Sequence, residues 1–352
     1  MKPSLLLTLD YELYGDGSGD VFKHIVEPTE KILAIAERYN AKITVFFEVV
    51  EYWQLKQEWE KGNRMGYDRN PVEAMEKQVL DMISRGHDVQ LHIHPQWVNA
   101  KWDDGKWEVD LSNWRLGTFT TPTMTIKQLI AKGKRTLEEM IRPSFPGYEC
   151  IALRAGGFNA QPSQEIVSAM HELGIRFDSS IVPGGKEDGK LSVYDYSGVP
   201  IDVGCWYVDD KLEEPAQGST DIVELLHVVF PIMRLFKFIS VSRIKSILQN
   251  RKSAQASFSS KTSNGEKCGG LLKKISFFFK KEYQTWDYCL FPSWLHRYFL
   301  RKVLKQSERK LFVVIGHPKS FVSKRSMECM MKNTCSRFDY PTISGISNMF
   351  FQ

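Results

Sequence analysis

Short apolar runs alternate along this chain with stretches whose apolar residues recur at helical spacing. The runs Leu5–Asp10, Lys42–Val50, Asp88–His94, Cys150–Arg154, Ile175–Asp178 and Leu311–Ile315 predict strands. Between them, Pro28–Tyr39 places Ile32, Leu33, Ile35 and Ala36 on one helical face. Asn70-Pro71 reads as an N-cap and a first-turn proline, opening a helix through Met75, Val79, Leu80, Met82 and Ile83 that stops at Gly86. Thr125 caps a helix through Ile126, Leu129, Ile130, Leu137 and Met140; another, through Ile166, Met170 and Leu173, stops at Gly174. Such alternation predicts an α/β fold with a parallel sheet and helices outside it.

Five of the strands end in residues that a sheet gains nothing by burying: LLLTLDYE, VQLHIHPQW, CIALRAGGF, IRFDSS and LFVVIGHPK. Parallel α/β sheets build their sites at the carboxyl ends of strands, so these ends read as one shared pocket. Side chains alternate along a strand, which puts Asp10 and Glu12 on one face and His92 and His94 on another. Two imidazoles with carboxylates from a second strand suit zinc or a similar divalent ion. Arg154, ahead of Gly-Gly, needs a partner if it is buried. His317 ends the last strand. Asp178 reads either as a site residue or as a loop cap, and Glu48 either lines the same barrel end or does not. Trp97, Trp102, Trp107 and Trp114 crowd the stretch after the two histidines, where they either face sugar rings or pin a long loop. His87 follows a helix end and reads as structural; His24, His171, His227 and His296 read as ordinary polar positions.

Composition narrows the class. With 42% hydrophobic and 25% charged residues in 352, the composition is that expected of an ordinary soluble globular protein. The net charge of +5 hides a division, because Arg234–Lys281 holds twelve Lys or Arg and one acid, Glu266. That segment is therefore +11 and the remainder −6. Residues 249–270 read as a mobile polar loop, and Leu271–Phe279 and Trp294–Leu304 as helical. The apolar stretch through Leu225, Val228, Val229, Ile232, Leu235 and Phe236 is expected as a helix. Together with the basic residues it makes 220–282 a candidate for contact with an anionic membrane surface. No nucleic-acid motif accompanies the charge. The six cysteines lack CxxC spacing and no signal-like segment precedes the first strand, so a cytoplasmic location is expected, with peripheral contact on the inner membrane face.

In sequence order, TLDYE, ITVFF, GHDVQLHIHP, LRAGGF, FDSS and VIGHP resemble the successive motifs of the NodB-like polysaccharide deacetylases, carbohydrate esterase family 4. The likeness covers roughly residues 4–205 and 310–348. HIHPQW, RAGGF and IGHPK are most similar to the WalW-like branch associated with lipopolysaccharide biosynthesis. The resemblance implies a distorted (β/α)7 barrel as a single domain over 1–352, with a helical and low-complexity insertion at 215–308. It implies one divalent metal, most commonly Zn2+, and hydrolysis of an N- or O-acetyl group on an envelope sugar or glycolipid precursor. Asp10 would be the base, Arg154 its partner and His317 the acid. Glu12, His92 and His94 would hold the metal, while Trp97, Asp178 and Glu48 would face substrate. The family's second aspartate is replaced by Tyr11 and its second histidine position by Gln96. The roles of Asp10 and Glu12 therefore remain interchangeable at this point. Two alternatives stand beside this reading: a C–N amidohydrolase acting on a non-sugar substrate, and a glycan-binding protein that has lost turnover.

Overall fold

The computed structural model describes residues 2–233 and 281–351. Eight strands form one sheet in the order 205–208, 222–225, 177–178, 152–155, 88–93, 43–48, 4–11 and 311–316. All neighbours run parallel except the pair 205–208 and 222–225. The sheet curls until its two ends nearly meet. Val228 N donates to Val313 O at 2.8 Å and Tyr288 N to Ile315 O at 2.9 Å, so single bridges rather than a ladder span the last gap. The result is the parallel α/β sheet expected from the alternating runs, curled into the barrel-like form that the family resemblance implied.

Strand alternation then sorts the side chains. Leu6, Phe46, Ala152, Phe177, Val223, Leu225 and Val313 fill the barrel, and Ile343 and Ile346 close its lower end. The opposite strand faces, including Leu5, Leu7, Leu9, Val45, Phe47 and Leu91, pack against the surrounding helices. Two of these helices carry the caps expected from sequence. Asn70 Oδ1 accepts from Val72 N and Glu73 N at 3.0 and 3.3 Å, ahead of helix Pro71–Ser84. Thr125 and Gln128 form a reciprocal capping box on Ile126–Ile141.

Two expectations need correction. The strand expected to reach Val50 ends at Glu48, and a helix over Val49–Glu60 follows. The cause is local: the Glu48 carboxyl accepts from Val50 N and Glu51 N, and so caps a helix whose first residues look β-like. The apolar stretch after Asp221 is strand, not helix, in its described part, over Ile222–Leu225 and Val229–Met233. Leu225, Val228 and Val229 have no exposed surface, so they belong to the core and cannot lie in a bilayer. The expected loop at 249–270 and helix at Leu271–Phe279 lie outside the described residues. Among the described residues no helix is long and apolar enough to cross a membrane.

Candidate active site

The polar strand ends converge at the upper mouth of the barrel. Register sets His92 opposite Glu48 on one side and opposite Arg154 on the other. Asp10 lies beside Phe46, whose ring sits 4.0 Å from the Arg154 guanidinium. Glu12 follows the first strand, and His94 follows the third as the residue before the turn Pro95–Trp97.

Glu12, His92 and His94 form a group whose possible ligand atoms all lie within 4.8 Å of one another. Glu12 Oε2 is 2.6 Å from His94 Nε2 and 3.5 Å from His92 Nε2. His92 Nδ1 is 2.8 Å from the Arg154 carbonyl oxygen. A carbonyl only accepts, so Nδ1 carries the proton and Nε2 keeps its lone pair. Both Nε2 atoms are buried, and neither makes a hydrogen bond of acceptable geometry among the described residues. Buried imidazole lone pairs aimed at a shared carboxylate are the pattern a divalent ion satisfies, so the residues fit a metal.

Electrostatics favours the ligand form of His94 and of Glu12. Burial lowers His94 and outweighs the pull of Glu12, which favours the neutral ring. Burial opposes ionisation of Glu12, but Lys319 and the imidazoles hold its carboxyl well below the usual range. Lys319 Nζ lies 2.9 Å from Glu12 Oε1, on the oxygen that turns away from the histidines. Gln96 Nε2 sits 3.0 Å from His94 Nδ1 and fixes that ring.

A second set of contacts surrounds Asp10. Arg154 Nη1 meets Asp10 Oδ1 at 2.5 Å, while Nη2 reaches Thr8 Oγ1 and Ser179 Oγ and Nε reaches Ser179 O. Burial would raise Asp10, yet Arg154 overcomes it and the carboxyl lies below its ordinary value. Asp10 Oδ2 is left 3.6 Å from His317 Nε2. His317 in turn has Asp287 Oδ2 3.6 Å from Nδ1, and Asp287 is fixed by the backbone N–H groups of Cys289 and Leu290. Burial works against the His317 imidazolium, but Asp287 and Asp10 win and its pKa rises. A carboxyl held toward its ionised form and an imidazole whose protonated form is favoured thus face each other across the pocket, as general acid–base chemistry requires.

Asp10, Glu12, His92, His94, Arg154 and His317 therefore come together. Glu48, Trp97 and Asp178 do not join them. Glu48 caps its helix, and burial with Glu51 and Glu12 nearby keeps its carboxyl well above the usual range. Trp97 is 1% exposed and packs edge-on against Trp107, so this ring pins the loop. Asp178 accepts from Ser180 N and Oγ on the outward face of its strand. Burial and the neighbouring Asp178 push Glu224 well above the carboxylate range. The aromatic that does approach the metal group is Trp114, half-buried, with its ring 6.4 Å from that of His94. Its indole N–H has no partner among the described residues.

Asp287, Lys319 and His227 were not legible as site residues. Asp287 lies outside any apolar run and Lys319 looks like a surface lysine after a turn. His227 sits inside a stretch that resembled a helix. The only signal was proximity in sequence, with Lys319 two residues past His317.

No protein-family model matches the sequence, and a search among curated proteins finds no match. Similar folds occur among solved structures. A GH57-type branching enzyme from the archaeon Pyrococcus horikoshii aligns at TM-score 0.50 and 12% identity, covering 100% of this chain and 71% of that one. A protein of Mycobacterium smegmatis described as a polysaccharide deacetylase aligns at 0.46 and 14% identity, covering 99% and 90%. Puue allantoinase aligns at 0.47 and 11%, covering 98% and 89%. Identities this low speak to fold and not to activity.

Proposed function

We propose that this chain is a metal-dependent hydrolase that removes an acetyl group from a sugar of a cell-envelope polysaccharide or lipopolysaccharide precursor. The observation that carries this reading is the convergence, at one barrel mouth, of two buried imidazole nitrogens on the Glu12 carboxylate and an ionised Asp10 facing His317. Glu12 lies nearer to both imidazoles than Asp10 does, which supports Glu12 as ligand and Asp10 as base.

A divalent ion held by Glu12, His92 and His94, most suitably Zn2+, would polarise the acetyl carbonyl and acidify a water molecule. Asp10, held ionised by Arg154, takes a proton from the attacking water through Oδ2. The water oxygen bonds to the carbonyl carbon, the bond from that carbon to the sugar nitrogen breaks, and His317 gives its proton to the departing amine. Asp287 orients His317 and favours the imidazolium that the last step needs. Trp114 offers a ring face and an N–H at the edge of the pocket, suited to a sugar.

Acetate release from a panel of N-acetyl sugars and nucleotide sugars tests the reading with zinc-supplied protein. Wild type should release acetate, and Asp10→Asn should not. Absence of release from every member of the panel would overturn it.

The reading takes 1–352 as one domain and places it at the cytoplasmic face of a membrane, where the +11 segment between Arg234 and Lys281 would meet anionic lipid. Vesicle co-sedimentation checks this contact. Binding should require anionic lipid and weaken with salt; no binding at low salt counts against it.

A further inference from the structure

His227 lies on the inner face of the barrel, two residues beyond Leu225 and bridged to Val313 of the last strand. Its Nε2 is 3.1 Å from Ser179 O, the same carbonyl that accepts from Arg154 Nε. Nε2 therefore donates, and Nδ1 carries a lone pair and acts as an acceptor. That Nδ1 is buried and has no partner among the described residues. Burial and the nearby Arg154 guanidinium lower the ring to about 3, so it stays neutral at any physiological pH. The groups that bear on it electrostatically are Arg154, Asp10 and His317, the acid–base set of the mouth.

Phe158 covers this histidine. The two rings meet edge to face at 5.4 Å. Phe158 follows Arg154 by four residues and adopts a φ of 61°, a left-handed conformation that bulky residues rarely take. Tyr196 Oη donates to its carbonyl at 2.8 Å and holds the turn there. An unpaired buried acceptor is costly, and here it lies against an aromatic in the left-handed region and on the Ser179 carbonyl that Arg154 also holds. Both features cluster where ligands are handled.

We propose that His227 Nδ1 accepts the N–H of the scissile acetamide, which makes the site selective for N-acetyl over O-acetyl groups. The inference rests on the deacetylase reading above. An amide supplies the missing donor, whereas an ester has no hydrogen at that position and leaves Nδ1 unpaired. Held in this way, the amide nitrogen keeps its own hydrogen on the His227 side, and its other face is open to the proton from His317. Phe158 turns aside to admit the acetamide. His227 is a specificity residue, and no proton moves to or from it.

Two substitutions separate this role from a structural one. In His227→Gln the side-chain nitrogen replaces Nε2 and keeps the bond to Ser179 O, but nothing replaces Nδ1. In His227→Asn an oxygen replaces Nδ1, and the Ser179 bond is lost. The readout is kcat/KM for the best N-acetyl sugar of the panel, divided by that for its O-acetyl isostere. The ratio should fall about 10- to 100-fold in His227→Gln and hold near wild type in His227→Asn. An unchanged ratio in His227→Gln, or a fall confined to His227→Asn, overturns the proposal. Wild-type turnover of the O-acetyl isostere alone would overturn it as well. Turnover of neither substrate by wild type would instead overturn the deacetylase reading beneath it.

Discussion

The third strand runs from one kind of buried polarity to another. At its lower end Asp88 and Gln90 are fully satisfied. Asp88 accepts from Thr44 Oγ1, Gln90 Nε2, Ser344 N and Ser344 Oγ. Gln90 Oε1 in turn accepts from Ile151 N and Ala152 N. Four residues further up, His92 and then His94 are equally buried, yet each keeps an Nε2 without a hydrogen bond. The lower network ties the C-terminal segment to the barrel, and its polar groups exist to satisfy one another. The upper one leaves lone pairs, an ion pair and an imidazole whose protonated form is favoured facing a common space. Buried polarity that is complete marks structure; buried polarity that is left open marks chemistry.

This contrast can be broken from either end. The largest effect should come from the mouth, where Asp10→Asn or His317→Ala should each lower acetate release at least ~100-fold, as lost proton transfer does. The His317 variant should keep its metal. Wild-type-like turnover in either variant would remove the assigned roles. At the lower end, Asp88→Ala should reduce unfolding free energy by roughly 1–3 kcal/mol, because it strands several buried donors. Turnover per folded molecule should not change, and chemical denaturation alongside the acetate assay decides it. A loss of turnover without a loss of stability would erase the distinction between the two ends.

A smaller effect concerns Glu51, which accepts from Leu13 N behind the mouth. Burial raises its pKa from 4.5 to about 8. In metal-free protein the folded state therefore keeps a proton that the unfolded chain releases. The stability this confers is complete below 4.5 and is lost as pH rises to about 8. Glu51→Gln preserves an acceptor for Leu13 N. Its melting temperature relative to wild type should rise between pH 5 and pH 8. A difference that does not vary with pH would place the Glu51 pKa near its ordinary value.

Much of the mouth was legible because strand periodicity reports orientation. Asp10, His92 and Arg154 point inward by alternation alone, and each ends an apolar run that a strand model explains. The helix at Val49–Glu60 was hidden because Val49 and Val50 continue the β-like run, and only the local Glu48 cap ends the strand there. Asp178 and Trp97 are turned away from the group for different reasons. Asp178 lies one residue out of phase with the inward-facing Phe177 and Ser179, and Trp97 is large enough to fill the loop core by itself. Asp287 and His227 come from a part of the chain whose strands contact the barrel through single bridges, too short to leave a periodic trace.

The central claim is that the open polarity at the mouth belongs to a metal. Elemental analysis of purified protein after zinc supply and dialysis tests it directly, with His92→Ala/His94→Ala as the comparison. The account predicts about one equivalent of divalent ion in wild type and none in the double variant. Equal metal in both proteins, or none in the wild type, would contradict it.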